Sequence, residues 1–229
     1  MNKFLLFFCL TSISLSAFAN NKMVIGTDDR IQIKKKNKNE AHESIGLVFY
    51  RQNGRTYSCT GTIIAPKVVI TAAHCIEPSF EIYFIPGQIS RIWGGLNKTS
   101  KNAVKAKTIR IFPGYYYDDP TKGDLGILIF HNEFKVKPLA LSTQYAQNEV
   151  VSIAGYPEDK PLGTLWEGTG EIDGASYTID THGGQSGSAL RNKDNEIIGI
   201  HSHAVYRKQK NFACMLTPEH IEFIEKHID

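Results

Sequence analysis

From residue 45 onward the apolar residues come in short runs, rich in Val, Ile, Phe and Tyr, and are cut by turn-forming residues. This pattern predicts strands over 45–50, 60–64, 68–71, 80–85, 106–111 and 125–130. Gly54, Pro66, Pro86-Gly87, Gly94-Gly95 and Pro113-Gly114 punctuate them. A second group follows over 150–154, 162–167, 168–172, 176–179, 188–191, 197–201 and 211–216, with Asp194-Asn195 as a hairpin turn. Helical spacing is confined to the end, where Thr217 caps, Pro218 takes the first position, and Ile221, Ile224 and Ile228 follow. Two sets of about six strands and a terminal helix predict an all-β double barrel. The expected division is an N-terminal barrel over 24–140 and a C-terminal barrel plus helix over 141–229, with 20–44 wrapping the surface.

Residues 1–19 depart from this pattern. Lys3 gives a positive start, residues 4–15 are largely apolar, and Ala17-Phe18-Ala19 is a small-residue cleavage site. The expectation is a signal peptide, followed by a short propeptide over 20–23. The apolar run is too short to cross a bilayer comfortably. A secreted protein, extracellular or periplasmic and without a membrane partner, is therefore expected.

Composition adds mainly exclusions. The 229 residues carry 26 basic and 23 acidic side chains, and losing Lys3 leaves 25 against 23. That balance argues against a nucleic-acid partner, and the run Lys34-Lys35-Lys36-Asn37-Lys38 reads as a solvated loop. Beyond the signal segment the cysteines are Cys59, Cys75 and Cys214. An oxidising compartment permits one disulfide and leaves one thiol over. Cys214 sits in the apolar stretch 212–216 and is expected as a buried free thiol. No cysteine spacing suggests a metal site.

The candidate chemistry centres on residues 180–190, Asp-Thr-His-Gly-Gly-Gln-Ser-Gly-Ser-Ala-Leu. Gly183, Gly184 and Gly187 allow a sharp turn that exposes the Ser186 hydroxyl. The same turn can aim the N–H groups of Gly184 and Ser186 at one point, as an oxyanion requires. A serine needs a base within reach to act as a nucleophile. His74, in Thr71-Ala72-Ala73-His74-Cys75, and Asp124, in Gly123-Asp124-Leu125-Gly126-Ile127-Leu128, are the matching base and acid. Asp118 and Asp119 are nearby acids in a Tyr/Pro-rich loop and are the weaker candidates.

The order His, Asp, Ser and these flanks resemble the chymotrypsin-like serine proteases. The resemblance implies the chymotrypsin-like double barrel, with His74 as base, Asp124 as its orienting acid and Ser186 as nucleophile. It also implies a Cys59–Cys75 disulfide. Ser202 matches the serine that hydrogen-bonds the triad aspartate, on a strand lining the specificity pocket. His201 and His203, on that strand, are expected to face opposite ways, against a two-histidine metal site. Gln185 replaces the aspartate with which trypsins bind a new N-terminus, so that ion pair does not form here.

A closer likeness lies in Gly155-Tyr156-Pro157-Glu158-Asp159-Lys160-Pro161, Thr164-Leu165-Trp166-Glu167, Gly183 to Ser188 and Gly199-Ile200-His201. With Val24-Ile25 and 29–33, these resemble the bacterial glutamyl endopeptidases of staphylococcal type. That resemblance implies a cofactor-free endopeptidase cleaving protein or peptide substrates after Glu, with Val24, Thr181 and His201 as specificity residues; a monomer without a metal site is expected. Asp180 keeps a second reading open, because trypsins carry the aspartate that binds Arg or Lys at this position. A narrow-range protease resembling the exfoliative toxins is a third reading, and an inactive binding protein on the same fold is a fourth.

Overall fold

The computed structural model describes residues 24–77, 81–97, 100–116 and 119–228. The expected signal peptide, the segment 20–23 and Asp118 lie outside them. The strands are β1 (Ile31–Gln32), β2 (Ile45–Gln52), β3 (Arg55–Ala65), β4 (Val68–Thr71), β5 (Ile82–Pro86), β6 (Val104–Lys105), β7 (Thr108–Ile111) and β8 (Gly126–Ile129). They continue as β9 (Val150–Gly155), β10 (Trp166–Asp173), β11 (Ser176–Tyr177), β12 (Ala189–Arg191), β13 (Ile197–Val205) and β14 (Lys210–Met215). Among the described residues, three short helices accompany them: α1 (Glu40–Ser44), α2 (Pro120–Gly123) and α3 (Pro218–Glu225).

Two seven-stranded sheets result. The first runs β6-β5-β2-β3-β4-β8-β7, and its two ends are consecutive along the chain. The second runs β1-β10-β11-β14-β13-β12-β9, and β9 also pairs with β10, which closes the ring. The protein is all-β with the chymotrypsin-like arrangement of two barrels and a C-terminal helix. Branched residues fill both interiors: Val48, Ile63, Val69, Ile70, Ile82, Phe84 and Leu128 in the first, and Val151, Ile153, Ile172, Leu190 and Ile198 in the second.

Three local differences from the pattern have physical reasons. Of the expected strands 162–167 and 168–172, residues 162–165 are not strand, because Gly163 turns there with φ +79°, and the remainder is one strand, β10. Gly168 and Gly170 do not break it; they make room for Ile179, which would lie 2.6 and 2.9 Å from a Cβ at those positions. In the polar segment before residue 45, Asn39 caps α1 by accepting from His42 N–H, and Ile31–Gln32 pairs with Trp166 and Glu167 of the second barrel. Segment 31–32 thus packs on the barrel that holds Ser186. The terminal helix matches expectation, since Thr217 caps α3 and Pro218 occupies its first turn.

Candidate active site

His74 lies in a single 3-10 turn directly after β4. Asp124 follows the short helix α2 and precedes β8, the neighbour of β4. Strand pairing therefore brings residues fifty apart in sequence together. The buried Asp124 accepts from His74 N–H through Oδ1 at 3.0 Å, and its Oδ2 lies 2.7 Å from His74 Nδ1. Ser202 donates its hydroxyl to the same Oδ2 at 2.6 Å. With backbone and hydroxyl donors arriving from the other directions, the imidazole is left to carry its proton on Nδ1 toward Asp124, which frees Nε2 as the acceptor.

Burial pulls the His74 pKa down, but the Asp124 charge and its hydrogen bond outweigh that and raise it. Burial alone would push Asp124 up, yet the His74 charge and the surrounding donors hold it below the ordinary carboxylate range. Asp119, the weaker candidate acid, instead caps α2 by accepting from Thr121 N–H at 3.0 Å. The C-terminal helix contacts α2, the helix before Asp124, where His220 Nε2 lies 3.0 Å from the Lys122 carbonyl.

Ser186 occupies a turn held by the other barrel. Thr60 of β3 donates N–H to Ser186 C=O at 2.8 Å and its hydroxyl to Gly184 C=O at 3.0 Å. Gly187 N–H donates to His201 C=O at 2.9 Å. Gly184 has φ +91° and Gly187 φ +82°, and a Cβ would meet Tyr156 O at 2.3 Å and Thr71 Oγ1 at 2.2 Å respectively. Both conformation and space demand glycine there. Among the described residues, neither Gly184 N–H nor Ser186 N–H has a hydrogen-bond acceptor, and the Ser186 hydroxyl makes no direct bond to His74. Catalytic hydrogen bonds of this kind often tighten only when substrate is present.

The disulfide Cys59–Cys75 joins β3 to the His74 turn, with Cα atoms 6.2 Å apart. Cys214 is a free, buried thiol whose pKa burial pushes up to about 12. Cys59, Cys75 and His74 group closely enough to suggest a metal site, but both sulfurs are used in the disulfide.

The other predicted binding residues are held by separate contacts. Asp180 is 3% exposed and faces the N-terminal segment: Oδ1 accepts from Ile25 N–H at 2.8 Å and Oδ2 from Asp29 N–H at 3.2 Å. Val24 immediately precedes this contact. Thr181 is buried, and its hydroxyl donates to Asn211 Oδ1 at 2.7 Å, while Asn211 Nδ2 donates to Ile179 C=O at 2.6 Å. His201 is buried with Nδ1 2.5 Å from the Tyr177 hydroxyl, and burial pulls its pKa down to about 3. It is a neutral imidazole.

In a regular strand residues two apart share a face, so the expected separation of His201 from His203 needs another cause. A bulge supplies it. His201 pairs with Ala213 and His203 with Phe212, leaving Ser202 as the extra residue, turned toward Asp124. His203 stacks on Phe212 with ring centroids 5.3 Å apart. Thr60, Tyr177, Asn211 and Arg30 carry no mark in the sequence that would single them out. Their roles arise from contacts across 24 to 155 positions, and no local motif announces them.

A trypsin-family profile matches residues 32–220. The chain belongs to the trypsin family. A glutamyl endopeptidase of Bacillus licheniformis is 30% identical over 203 residues, covering 81% of this chain and 62% of that protein. A glutamyl endopeptidase of Staphylococcus aureus is 28% identical over 192 residues, covering 76% of this chain and 50% of that protein. The chain thus spans about half to three-fifths of the length of these curated relatives. Among solved structures, a Glu endopeptidase in complex with MPD superposes with a TM-score of 0.75 at 24% identity, covering 90% of this chain and 99% of that one. The protease Anisep from Arthrobacter nicotinovorans gives 0.59 at 17% identity, covering 77% and 91%. At these identities the structural matches speak for the fold.

Proposed function

We propose that the protein is a secreted serine endopeptidase that cleaves after glutamate. The observation that carries the reading is the buried Asp124 carboxylate holding His74 by both backbone and ring, at 3.0 and 2.7 Å, opposite a glycine-bounded serine turn. Ser186 Oγ attacks the scissile carbonyl carbon while His74 Nε2 takes its proton. The carbonyl oxygen becomes an oxyanion facing the N–H groups of Gly184 and Ser186. Collapse breaks the C–N bond, His74 returns the proton to the leaving amine, and an acyl ester remains on Ser186. Water, deprotonated by His74, then releases the acid and regenerates the serine. These steps call on no cofactor or metal ion.

Glutamate specificity rests on three candidate donors. A carboxylate leaving water needs replacement donors. Neutral His201 offers one ring N–H if it turns from the Phe212 backbone, the Thr181 hydroxyl another if it turns from Asn211, and the amine of Val24 a third once residues 20–23 are removed. The cleavage-after-Arg reading requires Asp180 to present a bare carboxylate. Its two oxygens instead accept Ile25 and Asp29 N–H, which favours Glu. The relatives named glutamyl endopeptidase favour the same reading. Among the described residues no helix is long and apolar enough to cross a membrane.

Ser186→Ala should reduce peptide-bond cleavage by about 10⁴- to 10⁶-fold with the fold intact. Turnover near wild type in the purified variant, judged folded by circular dichroism, would overturn the peptidase reading.

A further inference from the structure

Arg30 lies in the segment between Val24 and β1, yet its guanidinium is fully enclosed, with a side-chain exposure of 0%. All five of its N–H groups are used. Nε and Nη2 grip Asp28 at 2.9 and 2.8 Å, Nη2 and Nη1 grip Asp159 at 2.6 and 3.3 Å, and Nη1 reaches Gln185 Oε1 at 3.0 Å. Gln185 is the residue before the candidate nucleophile and has no solvent exposure.

The Gln185 side chain closes the turn on itself. Its Oε1 accepts from His182 N–H at 3.0 Å, while its own backbone N–H donates to His182 C=O at 3.1 Å and its carbonyl accepts from Ser188 N–H at 3.0 Å. Two donors, Arg30 Nη1 and His182 N–H, converge on Oε1, so the amide can stand only one way round. Among the described residues its Nε2 is buried without a partner. A buried orphan donor is tolerated where the opposite end of the group is needed. Arg30 also reaches the turn by a second path. Asp159 belongs to the loop whose Glu158 N–H donates to Gly183 C=O at 2.7 Å and whose Tyr156 carbonyl faces Gly184.

We propose that Arg30 is a positioning residue for catalysis: by holding Gln185 Oε1 and Asp159 together, it fixes residues 182–186 so that the N–H groups of Gly184 and Ser186 converge. This rests on the serine-peptidase reading above. An uncharged Gln185 cannot pair with a terminal amine. The guanidinium, carried by the N-terminal segment but independent of where the chain is cut, does the ordering instead. The turn is then formed before residues 20–23 are removed, and their removal bears on the pocket rather than on the oxyanion donors.

The test is a double-mutant cycle on kcat with Arg30→Met and Gln185→Met, both near-isosteric, measured on one peptide below the melting temperature of each variant. Mispositioning a reacting geometry by about an ångström costs about a hundredfold. Each single variant should lose about ten- to a hundredfold in kcat with KM within about twofold, and the double variant should lose no more than the worse single. Methylguanidinium added to Arg30→Ala, which vacates the guanidinium site, should restore part of the rate that variant loses. Wild-type kcat in either single variant, or losses that multiply in the double, would overturn the proposal. Should Arg30→Met fail to fold, Arg30→Lys serves, since an ammonium can balance Asp28 and Asp159 but lacks the planar fork. Reduced kcat at unchanged thermal stability supports the proposal, and wild-type kcat overturns it. Wild-type protein that neither cleaves peptides nor reacts with a fluorophosphonate would defeat the peptidase reading itself. A reactive wild type with indifferent Arg30 variants defeats only this inference.

Discussion

The His74–Asp124 pair and the floor around Asp180 are both buried carboxylate sites, and they are built in opposite ways. Asp124 is positioned by its own barrel, with one further donor, Ser202, from the other: β4 and β8 are hydrogen-bonded neighbours, and each supplies one member of the His74–Asp124 pair at its end. Asp180 is held by a strand-free segment from the other end of the chain, through Ile25 N–H and Asp29 N–H, about 150 residues away. At Asp124 the carboxylate faces an ionisable ring and tunes it. At Asp180, among the described residues, each oxygen accepts one backbone amide, which turns the carboxylate toward the N-terminal segment. The same side chain thus faces an ionisable ring in one place and backbone amides in the other, and the difference lies in its partners.

The sharpest way to break the first half of the comparison is to remove the Asp124 charge. Asp124→Asn keeps the shape but lets the imidazole adopt the wrong tautomer, so kcat should fall about 10⁴-fold. Kinetics at saturating peptide check this; a loss under about tenfold would mean that Asp124 only supports the fold.

The second half is probed by the N-terminus. Retaining Asn20 to Met23 ahead of Val24 converts a terminal amine into an amide and removes one charge-assisted donor. Cleavage after Glu should weaken about tenfold, with N-terminal sequencing verifying the chain start. Full activity with Asn20 in place would show that the amine is unnecessary.

A smaller effect separates the two histidines by pH. His74 must be neutral to accept a proton, and its pKa is raised. The acid limb of kcat/KM should therefore fall off at a pH above the ordinary histidine value of about 6.5. His201 is pulled down to about 3 by burial, so it stays neutral across that limb. Its linkage appears in stability instead. The unfolded chain takes up the proton first, so stability should decline as pH falls from about 6.5 toward 3. Thermal melts and rate profiles on the same buffers compare the two. An acid limb below the ordinary value would contradict the His74 assignment.

The contrast also explains what could be read from sequence. Ser186, His74 and Asp124 each announce themselves locally, through glycines around a serine and through a polar residue at the end of a β-branched or apolar run. The strand set is readable for the same reason, apart from the two-residue strands β1 and β6, too short to leave a period, and β10, where two glycines that accommodate Ile179 resemble a break. Arg30, Thr60, Tyr177 and Asn211 carry no such mark, because their meaning lies in a contact with a distant segment. Asp180 is ambiguous in sequence for that reason: a carboxylate at that position reads alike whether it is bare or capped by Ile25 and Asp29.

The measurement that bears most directly on the account is kcat/KM for peptides differing only as Glu, Gln, Asp, Arg and Lys before the scissile bond. Donors built for a carboxylate lose more when offered a neutral amide, so Glu should exceed Gln by at least about tenfold. Asp should follow, and Arg and Lys should trail far behind. His201→Ala should erase most of the Glu preference while cleavage persists. Arg or Lys peptides outrunning Glu would contradict the account and make Asp180 the pocket base.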